Sequence, residues 1–236
     1  MNLLEVASAN GPISTRRHLV WDVPTRFLHW LLVFCIGICW WTGIHDQLDY
    51  HQYSGYAILW VVLMRIYWGF VGSSTARFIH FVRGPKAVAA YTRKLLKRDT
   101  PYTPGHNPIG AISALAMLGL VLAVVTAGLF AVDVDGLYSG PLSSYVSFHE
   151  GRHLAHLHYR LFTVLLWFIA LHLVAIGFYY LYKRHNLILP MITGSREVGH
   201  NSEQQIQIQI VPLWRFLAGA VIISGFVWSI SKGFYF

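Results

Sequence analysis

Charged side chains are scarce in this sequence. Asp, Glu, Lys and Arg make up 12% of its 236 residues, whereas 55% of the residues are hydrophobic. Because soluble domains carry about 25% charged residues, this composition excludes an ordinary soluble domain and indicates a membrane protein. All ten acidic residues lie in loops, at the ends of apolar runs or in tails. A histidine-lined ion or metal transporter, one alternative function, would need convergent carboxylates within its spans.

Cysteine is nearly absent as well. Cys35 and Cys39 are the only two, one helical turn apart inside the first apolar run, and we expect them to pack as small apolar groups rather than form a disulfide. The sequence has no C-x-x-C-H motif, which excludes covalently attached c-type haem. The first residues are polar and acidic where a signal peptide needs an apolar run, so no cleaved segment is expected.

Five apolar runs are long enough to cross a membrane, at about 27–45, 52–72, 108–131, 155–182 and 211–231. The segment between the second and third runs holds seven Lys and Arg against one acid, Asp99, whereas the neighbouring loops are acidic. By the positive-inside rule, the N-terminus and the basic segment face the cytoplasm of a bacterial inner membrane, and the acidic loops face the periplasm. We therefore predict an all-α, multi-pass membrane protein, with a four-helix transmembrane bundle and a fifth C-terminal transmembrane helix.

Two segments outside the spans have patterns of their own. Residues at about 83–98 read as a basic amphipathic helix lying on the cytoplasmic surface of the membrane. Residues 204–211, "QQIQIQIV", alternate with period two and predict either a short strand or an extended linker to the fifth span.

Four histidines pair by depth in the membrane. His158 and His172 are fourteen residues apart, so they share one helix face at a separation of about 21 Å. His51, which opens the second run, lies at the level of His158, and His29 lies at the level of His172. A lone histidine in a span is more often a hydrogen-bonded polar residue than a ligand. Two cross-helix pairs, however, are what bis-histidine ligation of two b-type haems requires.

Smaller features fit the same interpretation. Gly37 and Gly55, two turns from His29 and one turn from His51, would let a flat macrocycle approach the backbone. Arg65, fourteen residues from His51, and Arg160 are candidate partners for haem propionates, since a buried Arg needs an anion. Alternatively, the glycines serve helix packing and Arg65 reaches the cytoplasmic headgroups.

One motif suggests different chemistry. "HEGRH" at 149–153 matches H-E-x-x-H, the zinc-protease helix motif. That site needs a continuous helix and a third ligand, and we expect Gly151 to weaken the helix here. We favour the alternative that His153 and His156 line the periplasmic surface above a haem, as a docking patch or as reserve ligands.

The chain resembles the bacterial dihaem cytochrome b family that includes the membrane subunits of nickel–iron hydrogenases and quinone-linked b cytochromes. The resemblance covers roughly residues 18–194 and rests on "VWDVPTRFLHW", "HQYSGYAILWVVLMRIYWGFVGS", "GHNPIG", "LHYRLF" with "ALHLVA", and "NLILPMITG". It implies a four-helix domain over residues 1–194, two non-covalent haem b groups ligated by His29, His51, His158 and His172, and a quinone site beside one haem. Residues 195–236 would then form a linker and the additional transmembrane helix.

The function that follows is electron transfer across the inner membrane between the quinone pool and a periplasmic partner, either a c-type cytochrome or a hydrogenase small subunit. A stand-alone oxidoreductase that passes electrons to a small oxidant at the periplasmic haem is an alternative, and ion or metal transport is a further one. His106 and Arg26 are candidate quinone contacts, although the pattern favours the alternative of a helix start, with Asn107 as N-cap and Pro108 at the first helical position. Asp46, Asp49, Asp133, Asp135 and Glu150, opposed by Arg152, would steer a basic carrier to the periplasmic face.

Overall fold

The computed structural model describes residues 16–97, 105–198 and 209–234. In chain order the elements are strand β1 (Arg16–Leu19), helices α1 (Val23–Ile44), α2 (Leu48–Val71), α3 (Phe78–Phe81), α4 (Pro85–Arg93) and α5 (Pro108–Leu129), a 3₁₀ turn at Ser143–Tyr145, helices α6 (Phe148–Leu181) and α7 (Ile188–Thr193), strand β2 (Ser195–Val198) and helix α8 (Leu213–Ser231). Helices α1, α2, α5, α6 and α8 are each long and apolar enough to cross a membrane. The five predicted spans and the all-α class are confirmed.

Side-chain caps determine where three of the long helices begin. The Asp22 carboxylate accepts from the Thr25 backbone N–H at 2.9 Å ahead of α1, and the Asn107 side chain accepts from the Gly110 N–H at 2.8 Å ahead of α5. Helix α6 opens with a capping box between Ser147 and Glu150. Asn107 is therefore the N-cap that its sequence predicted, with Pro108 at the first helical position.

The start of α6 corrects one expectation. The helix begins at Phe148, not near 155, and runs through "HEGRH" without a break. Gly151 does not interrupt it, since the capping box holds the first turn and the glycine is buried against Val132, where a Cβ would clash. This glycine thus provides a close approach between α6 and the loop before it.

The spanning helices pack as two antiparallel pairs, α1 with α2 and α5 with α6, and α2 joins the pairs through its contacts with α5. The buried core between them is apolar and includes Leu59, Val62, Val121 and Leu165. Helix α8 lies along the outer side of α2. Two hydrogen bonds join the helices. The Tyr67 hydroxyl donates to the Arg215 carbonyl at 2.9 Å, and Trp60 Nε1 donates to Ser224 Oγ at 3.0 Å.

The two ends of the bundle differ in charge. We call the end that carries α4, the start of α1 and α5 and the close of α6 the basic end, and the end that carries the loops before α2 and α6 the acidic end. Helix α4 lies within the amphipathic segment predicted at 83–98 and is attached at the basic end. The Tyr91 and Tyr179 hydroxyls lie 2.8 Å apart, and the Tyr182 hydroxyl donates to the Leu96 carbonyl at 2.8 Å.

A two-stranded antiparallel sheet, which the sequence did not predict, closes the basic end. Strand β1 pairs with β2 in the register Leu19 to Ser195, and the Val20 N–H donates to the Gly194 carbonyl at 2.7 Å. The segment 204–211, predicted as either a short strand or an extended linker, falls mostly outside the described residues, and the described positions 209–211 form no strand. The sheet places α7 against the first turn of α1, where Arg26 Nη1 donates to the Ile192 carbonyl at 2.5 Å.

Candidate functional site

His51 on α2 and His158 on α6 lie together near the acidic end. Their ring centroids are 5.9 Å apart, and the ring planes are nearly perpendicular, at 81°. Both rings are partly buried between the two helix pairs. Two of the four predicted ligand residues, which are far apart in sequence, therefore face each other in the fold.

Each of these two imidazoles is oriented by a backbone carbonyl of the preceding helix. Nδ1 of His51 lies 2.8 Å from the Cys39 carbonyl oxygen on α1, and Nδ1 of His158 lies 2.8 Å from the Val124 carbonyl oxygen on α5. Because a carbonyl oxygen can only accept, Nδ1 must carry the hydrogen in both rings. In its uncharged form each ring then has its lone pair on Nε2, and such a bond commonly fixes the tautomer of a metal-ligating histidine.

A glycine supports each of these rings in the same way. A Cβ added to Gly43 would lie 3.0 Å from Nδ1 of His51, and one added to Gly128 would lie 3.0 Å from Nδ1 of His158. Each glycine is four residues after the residue whose carbonyl holds the ring, Cys39 or Val124. The same local arrangement of carbonyl, glycine and histidine thus occurs in both helix pairs.

Sequence reasoning missed Gly43 and Gly128. The chain has twenty glycines, and only the packing of one helix on the next distinguishes these two from the others. It also missed Cys39, whose Sγ lies 3.5 Å from His51 Nδ1. Cys35 and Cys39 are both free thiols, as expected.

The predicted glycine sites are open. A Cβ at Gly37 or at Gly55 would meet no other atom within 4 Å. The backbone of α1 and of α2 therefore leaves space beside these two positions, as a flat ligand in contact with these helices would need.

A second polar group lies toward the basic end and contains the other two predicted ligands. His29 on α1 and His172 on α6 are close enough to interact electrostatically, and His106 is within electrostatic reach of both and of Arg65. Nδ1 of His29 and Nη1 of Arg65 are buried and have no hydrogen-bond partner among the residues that the structure describes. Unsatisfied polar atoms at such depth are the expected sign of a site for a polar ligand.

The Arg65 side chain is partly buried, with Nη1 shielded from solvent. Its guanidinium carbon lies 5.2 Å from the centre of the Phe78 ring. The nearby carboxylate of Asp22, which sequence reasoning did not select, is already engaged. It accepts from the Thr25 N–H at 2.9 Å, from Trp68 Nε1 at 2.8 Å and from the Ser73 hydroxyl.

His106 is enclosed by aromatic rings. Its ring centroid lies 4.8 Å from that of Trp21 and 4.7 Å from that of Phe81. Burial, followed by the positive charge of Arg65, lowers the pKa of His106 to about 3, so the imidazole is uncharged at neutral pH. Nδ1 of His106 has no partner in the described ranges 16–97, 105–198 and 209–234.

Two predicted arginines lie apart from the buried groups. Arg26 lines a lipid-facing groove of about 430 Å³ with Phe27, Trp30 and Phe34. Arg160 is exposed, and two residues along a helix rotate its side chain about 200° away from that of His158. The structure therefore does not bring Arg160 to the His51–His158 pair.

The "HEGRH" histidines form a surface pair. The rings of His149 and His153 have centroids 4.4 Å apart on the first turns of α6. Among the residues that the structure describes, no three His, Cys, Asp or Glu side chains are grouped so that they could hold a metal ion. The motif thus has no third ligand in the described part of the chain.

Comparison with known proteins identifies relatives that are cytochromes of b type. The sequence pattern of the prokaryotic cytochrome b561 family matches residues 20–194. Over 135 residues the chain is 31% identical to the "Probable Ni/Fe-hydrogenase 1 B-type cytochrome subunit" of Escherichia coli K12 and to the protein of the same name from E. coli O157:H7. The match covers 46% of this chain and 56% of each relative, so the chain spans little more than half the length of these proteins.

No solved structure matches the chain significantly. The family match alone extends over α1, α2, α5 and α6 and ends at Gly194, before α8. It includes all four predicted histidine ligands and both supporting glycines. The chain belongs to the prokaryotic cytochrome b561 family and is a multi-pass bacterial membrane cytochrome of b type, whose cofactor is haem b.

Proposed function

We propose that this chain is a dihaem cytochrome b that carries electrons across the bacterial inner membrane between the quinone pool and a periplasmic redox protein. The observation that carries the proposal is the His51–His158 pair, with centroids 5.9 Å apart and Nδ1 of each ring held by a backbone carbonyl. Two imidazoles on facing helices, each with Nδ1 bonded to a carbonyl, would hold one haem iron between them through Nε2. Bound haem supplies the one-electron couple of its iron.

Around the proposed acidic-end haem the chain provides orientation and space. Cys39 and Val124 fix the tautomers of the two ligands, which leaves Nε2 unprotonated. Gly43 and Gly128 let the rings approach these carbonyls, and Gly55 leaves room one turn further along α2. The exposed position of Arg160 gives no support to its role as a propionate partner for this haem.

His29 and His172 are the proposed ligands of a second haem toward the basic end. The two rings are within electrostatic reach of each other, and His172 lies on the same face of α6 as His158, about 21 Å along the axis. Arg65 is the proposed propionate partner at this level, because its buried charge has an unpaired Nη1. Gly37 on α1 leaves room beside this pair.

The basic end is proposed to face the cytoplasm. Helix α4 and the close of α6 place Lys86, Arg93, Lys94 and Lys183 at one end, and cytoplasmic ends carry the excess of Lys and Arg. The quinone site is proposed at this end, in the groove that Arg26 lines. Of the two residues predicted from sequence, Arg26 lines that groove, whereas His106 is enclosed by Trp21 and Phe81. We therefore assign quinone contact to Arg26 alone.

The acidic end is proposed to dock the periplasmic partner. Its described acids are exposed or half-buried, namely Asp46, Asp49, Asp133, Asp135 and Glu150. Arg152 is tied to the Val132 carbonyl at 3.0 Å. Lys232, which sequence reasoning did not count there, also lies at this end because α8 runs from the basic to the acidic end. Five acids against two bases still favour a basic carrier, such as a c-type cytochrome. The names of the E. coli relatives make a hydrogenase small subunit the other candidate partner.

The test is the haem content of the purified chain. Pyridine haemochrome analysis is expected to give two haem b per wild-type chain, and His158→Ala and His172→Ala are each expected to remove one. His156→Ala, an exposed histidine on the same helix, is the matched control and should retain both. One haem or none in the wild-type chain would contradict the dihaem proposal.

A further inference from the structure

We infer that His106 and Arg65 together form a carboxylate-binding pocket that holds a propionate of the basic-end haem. This inference rests on the proposed ligation of that haem by His29 and His172. It assigns a positioning role to His106, which sequence analysis selected as a quinone contact.

The first observation is the enclosure of His106. The imidazole packs against Trp21 and Phe81 at the start of α5. Nδ1 is buried with no hydrogen-bond partner in the described part of the chain. Burying a polar nitrogen without a partner costs about 1–3 kcal/mol. A histidine used only for packing there would be less stable than a phenylalanine, which fills similar space without that cost.

The second observation is the state of Arg65. Its Nη1 is also buried and without a hydrogen-bond partner among the described residues, and its guanidinium carbon lies 5.2 Å from the centre of the Phe78 ring. Asp22, the nearby acid, accepts from three other donors on its two oxygens. Those bonds occupy the Asp22 oxygens although the carboxylate keeps its negative charge, so Arg65 Nη1 still lacks an acceptor, which a further anion would supply.

The third observation is that the two groups belong to one site. Aromatic rings link them, since the Arg65 guanidinium carbon lies 5.2 Å from the centre of the Phe78 ring, the Phe78 ring lies 5.8 Å from that of Phe81, and the Phe81 ring lies 4.7 Å from that of His106. His106 is also within electrostatic reach of Arg65, His29 and His172. Two unpaired nitrogens, one on a cation and one on a neutral ring, thus lie beside the proposed ligand pair. A carboxylate satisfies both, because it carries a full negative charge and accepts several hydrogen bonds. A quinone carbonyl would accept a hydrogen bond but carries no negative charge to attract the Arg65 guanidinium.

The pocket has a direct consequence for the haem. The Arg65 charge and the His106 hydrogen bond would together offset part of the negative charge of the propionate. A propionate held in this way repels an electron on the iron less than an unpaired propionate does. Removing either donor should therefore lower the midpoint potential of the basic-end haem. The acidic-end haem, at the level of His51 and His158, should keep its potential.

The experiment compares His106→Phe with His106→Asn. Phenylalanine keeps the packing on Trp21 and Phe81 but has no donor, whereas the amide nitrogen of asparagine lies near the place of Nδ1. Redox titration and redox-difference infrared spectroscopy, with haem labelled with ¹³C in its propionates, report the potential and the carboxylate bands. We expect His106→Phe and Arg65→Gln to lower the potential of the basic-end haem and shift its carboxylate bands, and His106→Asn to restore both toward wild type.

His80→Phe is the matched control, because His80 is exposed on α3 at the same end of the bundle; it should leave potential and bands unchanged. If His106→Phe also leaves them unchanged while His172→Ala still removes a haem, the pocket is wrong and the ligation proposal stands. If His172→Ala removes no haem, the ligation proposal fails on its own measurement.

Discussion

Nδ1 of His158 lies 2.8 Å from the Val124 carbonyl oxygen, and Gly128, one turn further along α5, lies directly against the same ring. The equivalent contacts of His51 involve Cys39 and Gly43 on α1. The glycine and the hydrogen bond act together, since a side chain at the glycine would push the ring away from its carbonyl.

Gly128→Ala is expected to weaken retention of the acidic-end haem. The added Cβ would lie 3.0 Å from His158 Nδ1, and overpacking of this kind costs about 1–3 kcal/mol, which is roughly fivefold to a hundredfold in affinity. Gly43→Ala should act alike through His51. Haem loss to apomyoglobin, followed by visible spectroscopy, measures the effect. Gly225→Ala on α8, where a Cβ meets nothing within 4 Å, is the control. Equal haem loss from all three variants would refute the supporting role of Gly43 and Gly128.

Asp22→Ala is expected to destabilise the basic end. The carboxylate is buried and accepts from Trp68 Nε1 and the Ser73 hydroxyl as well as from the Thr25 N–H. Hydrogen bonds to a charged group contribute about 1.5–3 kcal/mol each, and the substitution leaves buried donors unpaired. Thermal unfolding in detergent should show a clear fall in midpoint, whereas the exposed Asp49→Ala should change it little. Equal midpoints for the two variants would exclude this role of Asp22.

Arg26→Gln is expected to slow reduction of the haems by a quinol analogue. If Arg26 hydrogen-bonds the quinone in the groove beside Phe27 and Trp30, the lost charged hydrogen bond corresponds to roughly a tenfold or greater loss. Stopped-flow spectroscopy with a soluble quinol measures the rate, and full reduction by dithionite controls for haem content. An unchanged quinol rate at normal haem content would remove Arg26 from the quinone site.

Electron exchange with a basic periplasmic carrier is expected to slow as salt is added. Attraction between the acidic end and such a carrier is screened over a Debye length of about 10 Å at 0.1 M. Asp133→Asn with Asp135→Asn should lower the second-order rate at low salt and flatten its dependence on ionic strength. Neutralising Lys94 and Lys97 at the opposite end is the control and should change neither. A rate that rises with salt would contradict docking of a basic partner here.

The sequence was sufficient for the parts of this fold that depend on local patterns. The five spans follow from runs of apolar residues, and the caps at Asn107 and Pro108 follow from their chemistry. The depth of a histidine follows from its position along its span, which is why His51 and His158 could be paired before their 5.9 Å separation was seen. Each of these features depends on one helix at a time.

What the sequence did not reveal depends on how distant segments meet. Nothing local distinguishes Gly43 from Gly37, yet one contacts a histidine ring and the other faces open space. The pairing of β1 with β2 joins segments about 180 residues apart. The enclosure of His106 likewise needs Trp21 and Phe81 from two other segments. Such contacts are properties of packing, which a single sequence does not display.

The repeated arrangement in the two helix pairs has a consequence for how the haem site assembles. The carbonyl that orients His51 is 12 residues away in sequence, and the one that orients His158 is 34 residues away. Both are contacts within a helical hairpin, which form at a small loop-closure cost. Each hairpin can therefore orient its own imidazole through this hydrogen bond, and only the packing of one hairpin on the other requires contacts that are distant in sequence. On this view each α-helical hairpin is a half-site, and the iron, when it binds, joins two surfaces that are already shaped for it.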